Sequence, residues 1–186
     1  MLRPLVQKVI PNPKMVAPLL FVINVLLVYA GWKLFLFFAT GTTGILPRVW
    51  QNFNDVVAAT IVQQSSWVLQ HVLGYDLVYN ARNIIIKGTR GYFVADHCIG
   101  IAPCVIFAGF IAAFDGPWRH KLWYIPLGIL LIFYINVLRV IMLGYAQVEF
   151  GNVFFELMHT RYYLITSYGL FFLLVMYWMN KYGSER

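Results

Sequence analysis

Long hydrophobic runs alternate with short polar segments along this chain. Four of the runs are nearly free of charge, and they predict transmembrane helices at about residues 15–40, 98–114, 122–143 and 162–180. A helix needs about 20 apolar residues to cross the hydrocarbon core of a bilayer. The fold class that follows is an all-α polytopic membrane protein. Because no linker-like composition divides the chain, we expect a single membrane domain over residues 1–186.

Residues 41–97 are more polar than the four runs and are interrupted by glycine, asparagine and charge. Within them, apolar side chains recur at helical spacing at Phe53, Val57, Ile61, Val68 and Val72. Ser65 and Ser66 belong to the opposite, polar face. This pattern predicts an interfacial helix. A membrane-spanning helix stays open as the alternative, because residues 56–73 carry no formal charge.

Short runs of β-branched and aromatic residues follow at 77–79, 84–86 and 92–94, separated by glycine- and asparagine-containing segments. They predict a small extracytoplasmic β-meander that leads into Cys98. Further along, residues 115–121 predict a tight turn between the second and third spans. Residues 144–161 predict a short loop before the fourth span.

The composition agrees with a membrane location. With 61% hydrophobic and 11% charged residues, a chain of 186 residues cannot hide its apolar surface in a water-soluble domain. We therefore expect membrane lipid as a partner. The formal charge of +7 raises the possibility of nucleic-acid binding, but the basic residues are dispersed and form no aromatic-interleaved patch. We predict no nucleic-acid partner.

The distribution of lysine and arginine predicts the orientation, because a positive excess in short connections marks the cytoplasmic side. Basic residues cluster near both ends of the chain and in the turn at 115–121, whereas those of residues 41–97 are spread over a longer segment. The prediction is a multi-pass protein of the cell (inner, cytoplasmic) membrane with both termini in the cytoplasm.

With that orientation, three chemically reactive side chains lie on the outer side. Cys98 stands at the outer end of the second span, Arg139 near the outer end of the third, and His159 just before the fourth. Hydropathy does not require these three residues to share a depth, so their convergence predicts an active site on the extracytoplasmic face. Arg139 ends a long uncharged run and needs an anion, a partner or water, because charge inside a membrane is costly.

The three residue types are chemically complementary. A cysteine attacks as its thiolate, which a neighbouring cation such as Arg139 stabilises. His159 can exchange a proton near neutral pH, with an ordinary pKa of about 6.5. Cys104 lies in an apolar stretch, and in a helix its Cα would be about 9 Å from that of Cys98, which disfavours a disulfide. We expect Cys104 to be a structural side chain.

Other residues near these three are candidates for supporting roles. Asn136 shares a helical face with Arg139, and Gly100 leaves the backbone beside the cysteine accessible. His97 is a second candidate for the base. Asp96 and Glu156 could orient an imidazole or pair with the arginine, although solvated carboxylates are the more common case. No CxxC or HExxH spacing occurs, so we predict no metal and no cofactor.

The order of these motifs resembles that of the exosortase/archaeosortase family. The segments that carry the resemblance are Cys98-Ile-Gly100, Asn136-Val-Leu-Arg139 at the end of a membrane helix, and His159 before a final helix. The resemblance covers roughly residues 56–180. It departs where family members often have Ala-Cys-Ser-Gly, since His97 and Ile99 flank the cysteine here, and in the smaller number of spans.

The resemblance implies a cysteine protease or transpeptidase that recognises a C-terminal sorting signal on exported proteins. Such a signal combines a short motif, a transmembrane helix and a basic tail. Cleavage would occur at the outer face of the cell membrane and would form a thioester. The acyl group could then pass to a cell-surface acceptor. Carried over to this chain, Cys98 would be the nucleophile, His159 the acid and base, and Arg139 the stabilising positive charge.

Two other classes of protein fit the same residues. A non-enzymatic membrane subunit that assembles or anchors a complex could use Arg139 as an interhelical ion-pair residue. A metal or haem protein could be ligated through His97, Cys98 and His159, although paired histidines within the spans are lacking.

Overall fold

The computed structural model describes residues 13–41, 44–114, 116–159 and 163–182, with backbone only for the residues 13–18, 20–21, 97 and 163–167. Its helices are α1 (Pro13–Ala39), α2 (Ile45–His71), α3 (Ile101–Ala113), α4 (Trp118–Glu149), α5 (Gly151–Leu157) and α6 (Tyr163–Tyr182). Strands β1 (Leu77–Tyr79), β2 (Asn83–Ile86) and β3 (Tyr92–Phe93) pair antiparallel in sequence order. A 3₁₀ turn, Asp96–Cys98, connects the sheet to α3.

Two of the described helices are long and apolar enough to cross a membrane. They are α1, through Val22–Ala39, and α4, which has 32 residues. At the rise of an α-helix, α4 is about 48 Å long, which exceeds the roughly 30 Å of a hydrocarbon core. One part of α4 therefore extends beyond the apolar layer. Helix α3 is apolar but has only 13 residues.

Helix α4 continues past the residue where the sequence predicts its end. The predicted span stops at residue 143, and the predicted loop begins at Gly144, but Gly144 lies inside the helix. Its missing side chain leaves room for packing, since an added Cβ would lie 2.7 Å from the Tyr92 hydroxyl and 3.1 Å from Leu69. The prediction of a loop is wrong over residues 144–159, because α4 continues to Glu149 and α5 follows, and residues 160 and 161 lie outside the described residues.

Helix α2 is longer than predicted, and its buried face differs from the predicted one. Ser65 and Ser66 are fully buried, whereas Phe53 is 50% exposed. The Ser65 hydroxyl donates to the Val137 carbonyl oxygen at 3.3 Å, which joins α2 to α4. Small polar side chains allow two helices to approach closely. The buried stripe of α2 therefore contains Asn54, Ala58, Ile61, Val62, Ser65, Ser66 and Leu69.

The core of the described chain consists of two clusters. One joins α2, the sheet and the C-terminal half of α4, and it includes Cys98. The other joins α3, the N-terminal half of α4 and α6 around Phe107 and Trp178. At this second end, the ammonium group of Lys121 donates to the carbonyl oxygens of Ala112 and Phe114. These hydrogen bonds satisfy carbonyl oxygens at the C-terminal end of α3, and they fix the turn into α4.

We predict that Ile61→Ala destabilises the protein. Ile61 is fully buried in the first cluster, so truncation should lower the free energy of unfolding by about 2–5 kcal/mol. Unfolding of the purified protein in mixed detergent and SDS measures this difference. Val56→Ala, at a position that is 65% exposed on the same helix, should change stability by only about 0.5 kcal/mol. Equal losses for the two variants would contradict the assigned face of α2.

Candidate active site

Three separate elements bring the predicted reactive residues into contact. The Cys98 sulfur lies 3.7 Å from His159 Nε2 and 3.7 Å from Arg139 Nη2. Arg139 Nη1 also donates to the Cys98 carbonyl oxygen at 3.4 Å. Cys98 and Arg139 are buried, and His159, on the π-helical turn at 158–159, is half-buried. The structure therefore brings the three side chains together, and their catalytic roles stay a prediction.

The local backbone explains the position of Cys98. Its amide donates to the Ala95 carbonyl oxygen at 2.8 Å, which closes the 3₁₀ turn. Gly100 then adopts a left-handed conformation, with φ at 76°, and α3 begins at Ile101. The prediction that a transmembrane helix starts at Cys98 is therefore corrected, because the cysteine precedes the helix on a separate turn.

Gly100 and Asn136 fit together directly beneath this turn. A Cβ on Gly100 would collide with the side-chain amide nitrogen of Asn136. That nitrogen donates to the Ile132 carbonyl oxygen at 2.9 Å, and the amide oxygen is buried without a hydrogen-bond partner among the described residues. The glycine is therefore needed both for its left-handed backbone and for its lack of a side chain.

Aromatic side chains enclose the site. The ring of Phe155, on α5, stacks on His159 with 5.9 Å between centroids and 8° between planes, and its other neighbour is Tyr92 at 5.7 Å. The Tyr92 hydroxyl donates to the Val140 carbonyl oxygen at 3.0 Å, and burial raises the pKa of Tyr92, so the hydroxyl remains protonated. The cavity beside these side chains measures about 10 Å³, which is about the space of one water molecule.

The other candidate residues have different surroundings. Asp96 forms an ion pair with Arg82 at 2.8 Å. Glu156 is exposed on α5. The backbone of His97 belongs to the 3₁₀ turn, and its side chain lies outside the described residues. The Cys104 thiol faces α4, with the Ile129 carbonyl oxygen 3.9 Å away.

Sequence reasoning missed three residues around the site: Arg82, Tyr92 and Phe155. Tyr92 has the pattern of an ordinary strand residue, and Phe155 lies in a segment predicted as a loop. Arg82 stands in a turn where a solvated side chain is expected. Only the fold brings these residues close to Cys98, and no local motif marks them.

The geometry defines a class of site. A thiol held between a guanidinium and an imidazole, at one end of an apolar helix bundle, has the groups required for a nucleophile, a stabilising charge and a proton acceptor. Within the described residues, no group of three or more His, Cys, Asp or Glu side chains is placed to hold a metal ion.

Comparison with known families agrees with this class. The chain matches the family model of the transmembrane exosortases over residues 6–179. The protein therefore belongs to the transmembrane exosortase family, and it is a transmembrane protein. The resemblance drawn from the cysteine, arginine and histidine motifs is confirmed at the level of the family. No curated protein and no solved structure matches the chain.

We predict that Gly100→Ala lowers the thermal stability of the protein. A left-handed alanine costs about 1–2 kcal/mol, and the new methyl group must also displace Asn136. Thermal unfolding in detergent, followed by tryptophan fluorescence, measures the effect. The matched control is Gly169→Ala in α6, where no heavy atom would contact the new Cβ. A midpoint for Gly100→Ala as high as that of the control would contradict this account.

Proposed function

We propose that this protein is a membrane-embedded cysteine protease or transpeptidase. It cleaves C-terminal sorting signals of exported proteins at the outer face of the cell membrane. The observation that carries the proposal is the contact of the Cys98 sulfur with both Arg139 and His159. Membership of the transmembrane exosortase family supports the reaction class. The substrate signal consists of a short motif, a transmembrane helix and a basic tail.

In the first half of the proposed reaction, His159 Nε2 accepts the proton of the Cys98 thiol, and Arg139 stabilises the thiolate. The sulfur attacks the carbonyl carbon of the scissile peptide bond, and an electron pair moves to the carbonyl oxygen. Arg139 also stabilises this oxyanion, and the low exposure of the site strengthens the interaction. When the intermediate collapses, the C–N bond breaks and the His159 imidazolium protonates the leaving amine.

The second half releases the product. Cleavage leaves the substrate as a thioester on Cys98, with His159 neutral again. Water, or an amine of a cell-surface acceptor, attacks the thioester carbonyl while His159 accepts its proton. The C–S bond then breaks, the imidazolium returns the proton to the Cys98 thiolate, and the free enzyme is restored. The same three residues serve hydrolysis and transpeptidation.

The small volume of this cavity requires a movement before a substrate can bind. A space of about 10 Å³ cannot hold a peptide, and α5 covers it through Phe155. None of the residues of α5 is buried, and its first residue, Gly151, has a left-handed backbone with open space around it. Because no residue of α5 is buried, we propose that its displacement opens the site. We propose that the substrate enters between α5 and the sheet.

The proposed topology has four spans, formed by α1, α3, α4 and α6, with both termini in the cytoplasm and the active site on the extracytoplasmic face of the cell membrane. Beyond Arg139, α4 continues for about 15 Å and packs against α2 and the sheet, as expected for a part outside the apolar layer. The turn that Lys121 fixes lies at the opposite end of α4. Its basic residues favour the cytoplasmic side.

We predict that Cys98→Ala abolishes substrate processing and that Cys104→Ala retains it. Removing a nucleophile should reduce the rate roughly a thousandfold or more. Cys104 faces α4, away from Arg139 and His159. Each variant is co-expressed with an exported protein that carries the tripartite C-terminal signal, and cleavage is followed by its change in mass. Full processing by Cys98→Ala would refute the enzyme and favour a non-enzymatic assembly subunit.

We also predict that Cys98 can be alkylated from outside the cell. In a Cys104→Ala background, a small membrane-impermeant thiol reagent should label Cys98 slowly in intact cells and block processing in step with labelling. The reaction should be slow because the residue Cys98 is only 4% exposed and because α5 covers its sulfur. If the reagent labels Cys98 only when it can reach the cytoplasmic face, the proposed orientation is inverted.

A further inference from the structure

Arg82 contacts α2, the residue that follows β3, and the turn that bears Cys98. Its Nε and Nη2 lie 2.8 Å and 2.7 Å from the same carboxylate oxygen of Asp55, on α2. Its Nη1 lies 2.8 Å from an Asp96 oxygen and 3.2 Å from the Val94 carbonyl oxygen. One guanidinium thus joins α2 to the segment that connects β3 with the 3₁₀ turn.

The backbone around Arg82 is equally well determined. The side-chain oxygen of Asn80 accepts hydrogen bonds from the Arg82 amide at 3.0 Å and the Asn83 amide at 2.9 Å, which shapes the turn between β1 and β2. The Val94 amide donates to the Arg82 carbonyl oxygen at 2.8 Å. Because Arg82 bonds Val94 through both its backbone and its side chain, the two segments are held in one register.

The position of these contacts along the chain matters for Cys98. Asp96 belongs to the same 3₁₀ turn and stands two residues before the cysteine. The distances from the sulfur to Arg139 and His159 are already 3.7 Å, near the limit for a hydrogen bond to sulfur. A small displacement of the turn would therefore break both contacts.

Stability alone does not explain this arrangement well. Asp55 and Asp96 have side chains that are 47% and 57% exposed, and ion pairs with such exposed partners contribute little to folding. Burial lowers the pKa of Arg82, but its hydrogen bonds to Asp55 and Asp96 outweigh that effect and raise the pKa above its usual value. The guanidinium is thus a permanent charge whose main effect is geometric.

We infer that Arg82, held by Asp55, is a positioning residue that fixes the turn 96–98 so that the Cys98 sulfur meets Arg139 and His159. It acts through Asp96 and Val94 and touches no reacting atom. The inference rests on the proposed function, in which Cys98 is the nucleophile. It extends the site beyond the cysteine, arginine and histidine motifs to a residue in the β1–β2 turn.

The test is a double-mutant cycle between Arg82 and Arg139, read as the rate of Cys98 alkylation by iodoacetamide. All proteins carry Cys104→Ala and are purified in detergent without substrate, so the readout does not depend on processing. If Arg82 positions Cys98 against Arg139, then Arg82→Ala and Arg139→Gln should each slow alkylation about tenfold. The double variant should be no slower than either single variant, because the contact is lost only once.

Two further variants separate positioning from simple support of the fold. Arg82→Lys keeps one ion pair but cannot reach Asp55, Asp96 and Val94 together, so it should recover only part of the rate. Asp96→Ala removes only the contact between Arg82 and the turn. If Arg82→Ala does not fold, Asp96→Ala replaces it in the double-mutant cycle with Arg139→Gln. The matched control is Arg90→Ala, an exposed arginine of the same segment, which should alkylate at the parent rate.

Three outcomes would overturn the inference. In the first, Arg82→Ala is alkylated at the same rate as Arg90→Ala. In the second, Arg82→Ala is alkylated faster than the parent. In the third, the effects of the Arg82 and Arg139 substitutions on the rate multiply in the double variant. If the cycle fails while Cys98→Ala still abolishes processing, only the role of Arg82 is lost. If Cys98→Ala processes substrate fully, the proposed function is lost, whatever the alkylation rates show.

Discussion

One guanidinium inside an apolar helix bundle determines how the rest of this structure is arranged. Arg139 follows a long uncharged stretch of α4 and is almost entirely buried, so its charge needs polar partners within reach. The turn at Cys98 provides two of them, a carbonyl oxygen and a sulfur. To bring them there, the chain must return from the sheet to the side of α4, where Gly100 and Asn136 fit closely enough to allow the approach.

This requirement explains why so much structure surrounds a small site. Helix α2, the three strands and the end of α4 form one apolar cluster that includes Cys98 itself. Beside that cluster, Arg82 joins α2 to the segment before the cysteine. The second cluster, around Phe107 and Trp178, joins α3, α4 and α6 by apolar packing and by a hydrogen bond from the Tyr124 hydroxyl to the Leu174 carbonyl oxygen. Both ends of the described bundle are packed, and the reactive side chains lie at the end that contains the first cluster.

Much of this arrangement could be predicted from the sequence, because its strongest signals are local. An arginine after a long apolar run, a cysteine before one and a histidine before another are visible without a structure, and they predicted the contact of Cys98, Arg139 and His159. The errors arose where a tertiary contact overrides a local pattern. Gly144 has the pattern of a helix end, but it lies inside α4, where Tyr92 and Leu69 occupy the space that a side chain would fill.

The same explanation holds for α2 and for the Arg82 contacts. Ser65 and Ser66 belong to the polar face by composition, but α4 approaches so closely that small side chains are needed there. The pairing of Arg82 with Asp55 and Asp96 joins residues far apart in sequence, and no periodicity marks such a pair. Residues that position a reactive group are therefore harder to predict than the reactive groups themselves.

The small cavity beside Cys98 has a consequence for how easily its sulfur can be oxidised. Peroxides and small disulfides oxidise a cysteine only where they can reach its sulfur. In the resting structure, Phe155 and Tyr92 leave room for about one water molecule beside the sulfur, which excludes an oxidant of the size of glutathione disulfide. The aromatic side chains therefore limit the access of such oxidants to the Cys98 sulfur.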